Sequence, residues 1–241
     1  IAGKNAYGIS LHGQTKDITS LLEHFFQTWF APSFTKKYFD LEKKLILRAL
    51  ENKKRDPAKQ VFQELNEIIF NTHPYSLDVA GNEKSLKSLS IDLVKKTHLA
   101  NTQKKPVVIT YVGDLPLDEC LNYFQKYLNL FQKRSASKKS NEKIISQNIF
   151  DKHLVFDREQ TQMFIAFNGY HLQAKENLYL KILTAHLSGQ GSDLFVEVRD
   201  RQGLCYAVQP VHFAGLSGGY WGIYIGAGHG KEQLAASAIL G

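Results

Sequence analysis

Apolar residues in the first half of the chain recur at helical spacing. Ile18, Leu21, Leu22, Phe25, Phe26 and Trp29 lie behind a capping Asp17 and predict a helix that Pro32 closes. A second helix is predicted from about Thr35 to Lys54, with Leu41, Leu45 and Ile46 facing inward. Asp56-Pro57 then supplies a cap and a first-turn proline for a third, striped by Val61, Leu65, Ile68 and Ile69. The turn Asn71 to Ser76, a short helix after Glu83 and a helix from Ser90 through Leu99 follow, and another helix runs through Leu130.

The period changes from about 3.6 to 2 in five places. Tyr7 to Leu11 reads as a short strand, and Val107-Val108-Ile109-Thr110-Tyr111-Val112, introduced by Pro106 and ended by Gly113-Asp114, as a longer one. Gln160 to Phe167 reads as a third strand, and Leu204 to Phe213 and Tyr220 to Ile225 flank the glycine-rich turn 215–219. Helices are expected from Lys175 to Leu187, from Ser192 to Asp200 and from Lys231 onward. Strands joined by a tight turn are antiparallel, because parallel pairs need a crossover. The expected class is therefore α+β, in two units, each an antiparallel-rich sheet with helices packed on it.

The boundary falls in Gln132 to Lys143, a lysine- and serine-rich run with the composition of a solvated linker. This divides the chain into 1–131, a basic linker at 132–149, and 150–241. At 241 residues and 43% hydrophobic, the chain can bury a core in each part. Ile1 is not a methionine and Gly241 follows an unfinished helical run, so both ends read as cuts in a longer protein.

The formal charge of +7 raises the question of nucleic acid. The basic cluster has no interleaved aromatic residues on which bases could stack, so no nucleic-acid partner is expected. No apolar run reaches the ~20 residues of a membrane-spanning helix. Cys120 and Cys205 belong to no CxxC pair and read as buried small hydrophobes.

Catalytic zinc is commonly held by two histidines one helical turn apart plus a carboxylate, with a glutamate as base. The nine histidines form neither H-E-x-x-H nor H-x-x-E-H. The glycines of Gly226-Ala227-Gly228-His229-Gly230-Lys231 stand where a phosphate loop would, but Lys231, Ile225 and Glu232 break the nucleotide-binding patterns. A strand-to-helix turn is the expectation.

The run from Leu187 to Val208, LSGQGSDLFVEVRDRQGLCYAV, resembles the C-terminal signature of the insulinase/pitrilysin metallopeptidases, L-G-G-x-x-S-R-L-F-x-x-L-R-x-x-x-G-L-x-Y-x-V, and departs from it at Asp193, usually arginine. Asp56-Pro57, His73-Pro74-Tyr75-Ser76, Gly81, Leu89 and Val112-Gly113-Asp114 resemble further landmarks of that family in the same order. Ala49 occupies the position where the family's catalytic halves have a zinc-binding glutamate. The resemblance implies a zinc-free half, inactive alone, from a zinc metalloendopeptidase that encloses peptides in a closed chamber.

It also implies that Arg199 and Tyr206 contact the peptide substrate and its transition state. Guanidinium offers a fixed fork of donors to carbonyl oxygens, and a phenol can donate to charge developing on a tetrahedral intermediate. No catalytic or metal-binding residue is expected in this chain; zinc would come from the metal-bearing half of the same protein or from a partner subunit. Read from the residues alone, Arg199 is a helix-end cation and Tyr206 a strand core residue. Some relatives are catalytically dead structural or assembly subunits, and that alternative stays open at this point.

Overall fold

The computed structural model describes residues 2–104, 106–128 and 151–241. These form two compact units: one from the described parts of Ile1–Leu47 and Asn82–Lys139, the other from those of Arg48–Gly81 and Ser140–Gly241. Among the described residues no helix is long and apolar enough to cross a membrane.

The second unit is built on one antiparallel sheet. Strands β1 (Gln160–Gly169), β2 (Cys205–Ala214) and β3 (Gly219–Gly228) lie in the order β1-β3-β2. The central strand β3 sends apolar residues toward one face (Trp221, Ile223, Ile225, Ala227) and glycines and tyrosines toward the other (Tyr220, Gly222, Tyr224, Gly226, Gly228). The first face is sealed by apolar side chains of α7 (Glu176–His186), α8 (Asp193–Phe195) with the π-helical turn Val196–Arg201, and α9 (Glu232–Leu240). Val198, Ile225, Ala227 and Ala235 are almost wholly buried there. Each large apolar side chain so buried contributes on the order of 1.5–3 kcal/mol.

The opposite face carries Phe164, Phe213 and Tyr220, and helix α3 (Pro57–Phe70) covers them with Phe62, Leu65, Ile69 and Phe70. Asp56 caps α3, its carboxylate accepting from the Lys59 N–H at 3.2 Å, and Pro57 stands in the first turn, as expected from the sequence. Tyr75, from the 3-10 turn Pro74–Ser76, lies against Gly215, where an added Cβ would sit 2.3 Å from its ring. Its hydroxyl accepts from the Leu216 N–H at 2.8 Å. The His-Pro-Tyr landmark thus secures the β2–β3 turn.

The first unit is helical among its described residues. It contains α1 (Ile18–Phe30), most of α2 (Lys36–Lys54), α4 (Glu83–Ser88), α5 (Ile91–Lys104) and α6 (Leu117–Leu128). Its core joins α1 to α6 through Leu22, Phe26, Cys120 and Phe124, with Tyr111 against them.

Three expectations are revised. The strands read at Tyr7–Leu11 and Val107–Val112 belong to no sheet; the first region has only the isolated bridge Ala2↔Tyr7. A strand needs a partner for its backbone groups, and the described part of this unit supplies none. Leu41 and Leu45 are each 47% exposed rather than inward, because no described element packs over that side of α2. The α+β class holds for the sheet unit, whereas no second sheet is seen among the described residues.

The expected division into 1–131 and 150–241 also differs from the observed grouping at one segment. Arg48–Gly81, including α3, groups with the sheet, because Phe62, Leu65, Ile69 and Phe70 of α3 pack on Phe164, Phe213 and Tyr220. The expected linker, 132–149, lies outside the described residues.

Candidate functional site

Both residues singled out by the signature sit where the backbone leaves regular geometry. Arg199 lies in the π-helical turn Val196–Arg201. The Gly203 N–H closes on the Arg199 carbonyl at 3.0 Å and the Leu204 N–H on that of Val198 at 3.1 Å. Gly203, at φ +59°, then turns the chain into β2 through a left-handed conformation that suits glycine. Lys231 Nζ donates to the Gly203 carbonyl at 2.8 Å and ties this turn to the start of α9. Single π turns recur at functional sites because they re-aim side chains without ending the helix.

Tyr206 is the extra residue of a β-bulge. Cys205 pairs with Ala227 and Ala207 with Gly226, so two steps on β2 match one on β3. The bulge turns the Tyr206 ring over Gly228, whose missing Cβ would lie 3.7 Å from the phenol oxygen. Tyr206 is 61% exposed and Arg199 is also exposed. The strand-core reading of Tyr206 is therefore not how its side chain is placed.

The Arg199 guanidinium stacks over Phe195, 4.5 Å from the ring centroid, a cation–π contact that limits its freedom. Burial pushes the Cys205 thiol above its ordinary range, and the charge of Arg199 pulls it back in part. Among the described residues no hydrogen bond or ring contact joins Arg199 to Tyr206; each is free to meet a third group.

Tyr206 shares its face of the sheet with an open cavity of about 660 Å³ lined by Asp56, Pro57, Ala58, Asp157, Arg158, Glu159, Gln160 and Gln162. Gln160 pairs with Gly228 and Gln162 with Gly226, so the strand lining of this cavity lies next to the glycine that the Tyr206 ring approaches. The Tyr224 hydroxyl donates to Gln162 Oε1 at 2.5 Å, and burial together with the nearby Asp56 charge raises the Tyr224 pKa. Burial also acts to raise Asp56, but the Lys59 N–H and ammonium and the Ala58 N–H outweigh it and hold the carboxyl below its ordinary value. Sequence reading missed the cavity, because its lining comes from a cap at 56–58 and a strand entry at 157–162, apart in sequence. It also missed the bulge and the π turn, because neither has a period.

The glycine cluster is the turn expected of it. Gly230 takes φ +85° between β3 and α9, and the Glu232 carboxylate accepts from the Gly230 N–H at 3.0 Å and from Thr161 Oγ1 at 2.5 Å. A carboxylate already occupies the place a phosphate would take.

The donor set does not fit zinc. Among the described residues no three of His, Cys, Asp and Glu could hold a metal ion. Ala49 lies on an exposed part of α2.

Residues 88–240 match the family model described as the peptidase M16 inactive domain. An "Uncharacterized zinc protease" of Rickettsia bellii is 23% identical over 209 residues, covering 86% of this chain and 50% of the relative. The crystal structure of a peptidase M16 inactive domain from Pseudomonas fluorescens superposes with a TM-score of 0.84 at 23% identity, over 94% of this chain and 56% of that one. A protease from Helicobacter pylori gives a TM-score of 0.78 at 15% identity, over 95% and 57%. The chain spans about half the length of the relatives it matches.

Proposed function

We propose a function from one premise: the chain belongs to the insulinase/pitrilysin, or M16, peptidase family, as its inactive domain. It is a zinc-free part of such a protein, and its task is to hold peptide rather than to cut it. The parent is a zinc metalloendopeptidase acting on oligopeptides in a closed chamber, with metal and general base supplied by the metal-bearing half of the same protein or by a partner subunit. In this reading residues 1–131 end one peptidase-like domain and 150–241 begin the next, with α3 lent to the sheet of the latter.

Arg199 and Tyr206 meet the peptide backbone. The guanidinium donates to a carbonyl oxygen and holds the chain in register. The Tyr206 hydroxyl donates to an oxygen on which negative charge develops, an interaction stronger in the transition state than in the ground state. The observation that carries this reading is that both side chains are exposed and set at backbone irregularities at either end of one short turn.

The test is made in the assembled parent on an unstructured oligopeptide. Arg199→Ala or Tyr206→Phe is expected to lower kcat/KM about ten- to a thousandfold, with thermal unfolding unchanged. Full activity in both variants would return the two residues to structural roles. The isolated chain is expected to bind less than stoichiometric zinc and to leave the same peptide intact; one zinc per chain after dialysis would overturn the reading.

A further inference from the structure

Gly203 is the hinge between the π turn that carries Arg199 and strand β2, and packing does not hold it. A Cβ added there would meet nothing within 4 Å, and φ +59° is a conformation that glycine can leave at little steric cost. Two polar contacts fix it instead. Its N–H donates to the Arg199 carbonyl at 3.0 Å, and its own carbonyl accepts from Lys231 Nζ at 2.8 Å. The first bond closes the turn on Arg199; the second fastens that turn to another element.

Helix formation does not explain a lysine at position 231. It stands at the N-cap of α9, where Ser, Thr, Asp and Asn are favoured and the helix dipole opposes a cation, and its side chain caps no helix N–H. Its backbone, by contrast, is held on both sides. The Lys231 N–H donates to the Gly228 carbonyl at 3.1 Å, and the Lys231 carbonyl accepts at 2.9 Å from the N–H of Ala235, a residue with no exposed surface. Glu232 fixes the same helix start to β1 through Thr161 Oγ1 and to the Gly230 N–H. Lys231 thus stands on a firm base with its ammonium directed at one carbonyl.

We infer that Lys231 is a positioning residue: by holding the Gly203 carbonyl it fixes the turn from which Arg199 reaches the peptide, and it acts on turnover through Arg199 without touching substrate. The inference rests on the substrate-contact reading of Arg199. An ammonium-to-carbonyl bond is charge-assisted and therefore stronger than a neutral one, which suits it to holding a glycine hinge closed. Lys231 is exposed, so removing its charge leaves the core intact and the effect on the turn can be read separately.

The test is made in the assembled parent with Lys231→Met, which keeps most of the apolar stem and removes the donor. Amide exchange of Gly203 and Leu204, whose N–H groups close the turn on Arg199 and Val198, is expected to speed up at least about tenfold, with Ile223 and Ile225 of β3 unchanged. On an unstructured oligopeptide kcat/KM is expected to fall about tenfold, and Lys231→Arg, which keeps a cationic donor, to restore it to within about threefold. Combining Lys231→Met with Arg199→Ala should lower kcat/KM no further than Arg199→Ala alone, within about twofold. Unchanged exchange at 203 and 204 overturns the inference. So does an additive loss in the double variant, which would make Lys231 an independent contact to substrate. Faster exchange in β3 as well, or no recovery in Lys231→Arg, reduces Lys231 to a structural role and also overturns it. The reading of Arg199 survives all of these results, whereas full activity of Arg199→Ala overturns that reading and the inference together.

Discussion

Two β-branched segments of this chain have nearly the same pattern and opposite fates. In β3, Trp221, Ile223 and Ile225 alternate with small or aromatic residues, and the strand lies between β1 and β2 with helices on both faces. In 106–112, valine, isoleucine, threonine and tyrosine form an unbroken run of strand-forming residues, yet the segment pairs with nothing described and leaves Val108 and Val112 in solvent. Periodicity states which way side chains point; pairing depends on what lies alongside, and that is a property of the whole molecule.

The largest contrast should appear in the core of the sheet unit. Phe70 is 2% exposed and packs its ring against Tyr75, Phe213 and Tyr220. Phe70→Ala removes that ring from a site with no slack, and a loss of about 3–5 kcal/mol is expected in denaturant unfolding. A loss below about 1 kcal/mol would mean that α3 is not firmly seated on the sheet, and the contrast between a completed and an incomplete unit would weaken.

A smaller effect is expected at the cap of the same helix. Asp56→Ala removes the acceptor for the Lys59 N–H and should cost about 0.5–2 kcal/mol, with the midpoint of denaturation as the readout. Because Asp56 also lines the open cavity, an unchanged midpoint would show that solvent entering there replaces the cap.

The same comparison shows what could be read in advance. Helix α2 was expected from Thr35 to Lys54 and lies at Lys36–Lys54; β2 was expected from Leu204 to Phe213 and lies at Cys205–Ala214. These elements were legible because a period and a cap are local. The seat of α3 on Phe164 and Tyr224 was not, since nothing near Pro57 names a partner a hundred residues away. The exposure of Tyr206 was illegible for a related reason: the bulge that turns it outward depends on the relative lengths of two strands, and the residues of one strand do not state it. Arg199 and Tyr206 came into view through the signature around them, and the cavity beside Tyr206 had no such signal.

A pH effect should separate the two units further. Burial, helped by the charge of Lys181, holds His212 below its ordinary pKa, and its Nε2 is buried with no hydrogen-bond partner among the described residues. With the folded pKa depressed, the unfolded chain takes up the proton first. The stability from neutral His212 is therefore complete above the unfolded value of about 6.5 and is lost as pH falls through the folded value. Comparing unfolding at pH 7.5 and pH 5, wild type should lose more stability than His212→Phe; identical pH dependence in the two would show that the ring is solvated in the folded state.

The smallest expected effect is the sharpest test of the comparison. Val112 is 93% exposed and belongs to no core cluster, so Val112→Ser in the isolated chain removes almost no buried area and should change stability by less than about 0.5 kcal/mol. The matching change on β3, Ile225→Ser, strikes a side chain with no exposed surface and should cost several kcal/mol, since it combines a cavity with a buried hydroxyl. The two positions differ little in sequence character and entirely in whether a partner is present. Repeating Val112→Ser in the full-length parent asks whether that difference belongs to the residue or to its surroundings. If the parent supplies the missing strand, the loss there should exceed that in the isolated chain by about 1 kcal/mol or more, because Val112 is then partly covered. An equally small effect in both would mean that the valine stays in water throughout, and that its β-branched neighbours are extended for a reason other than pairing.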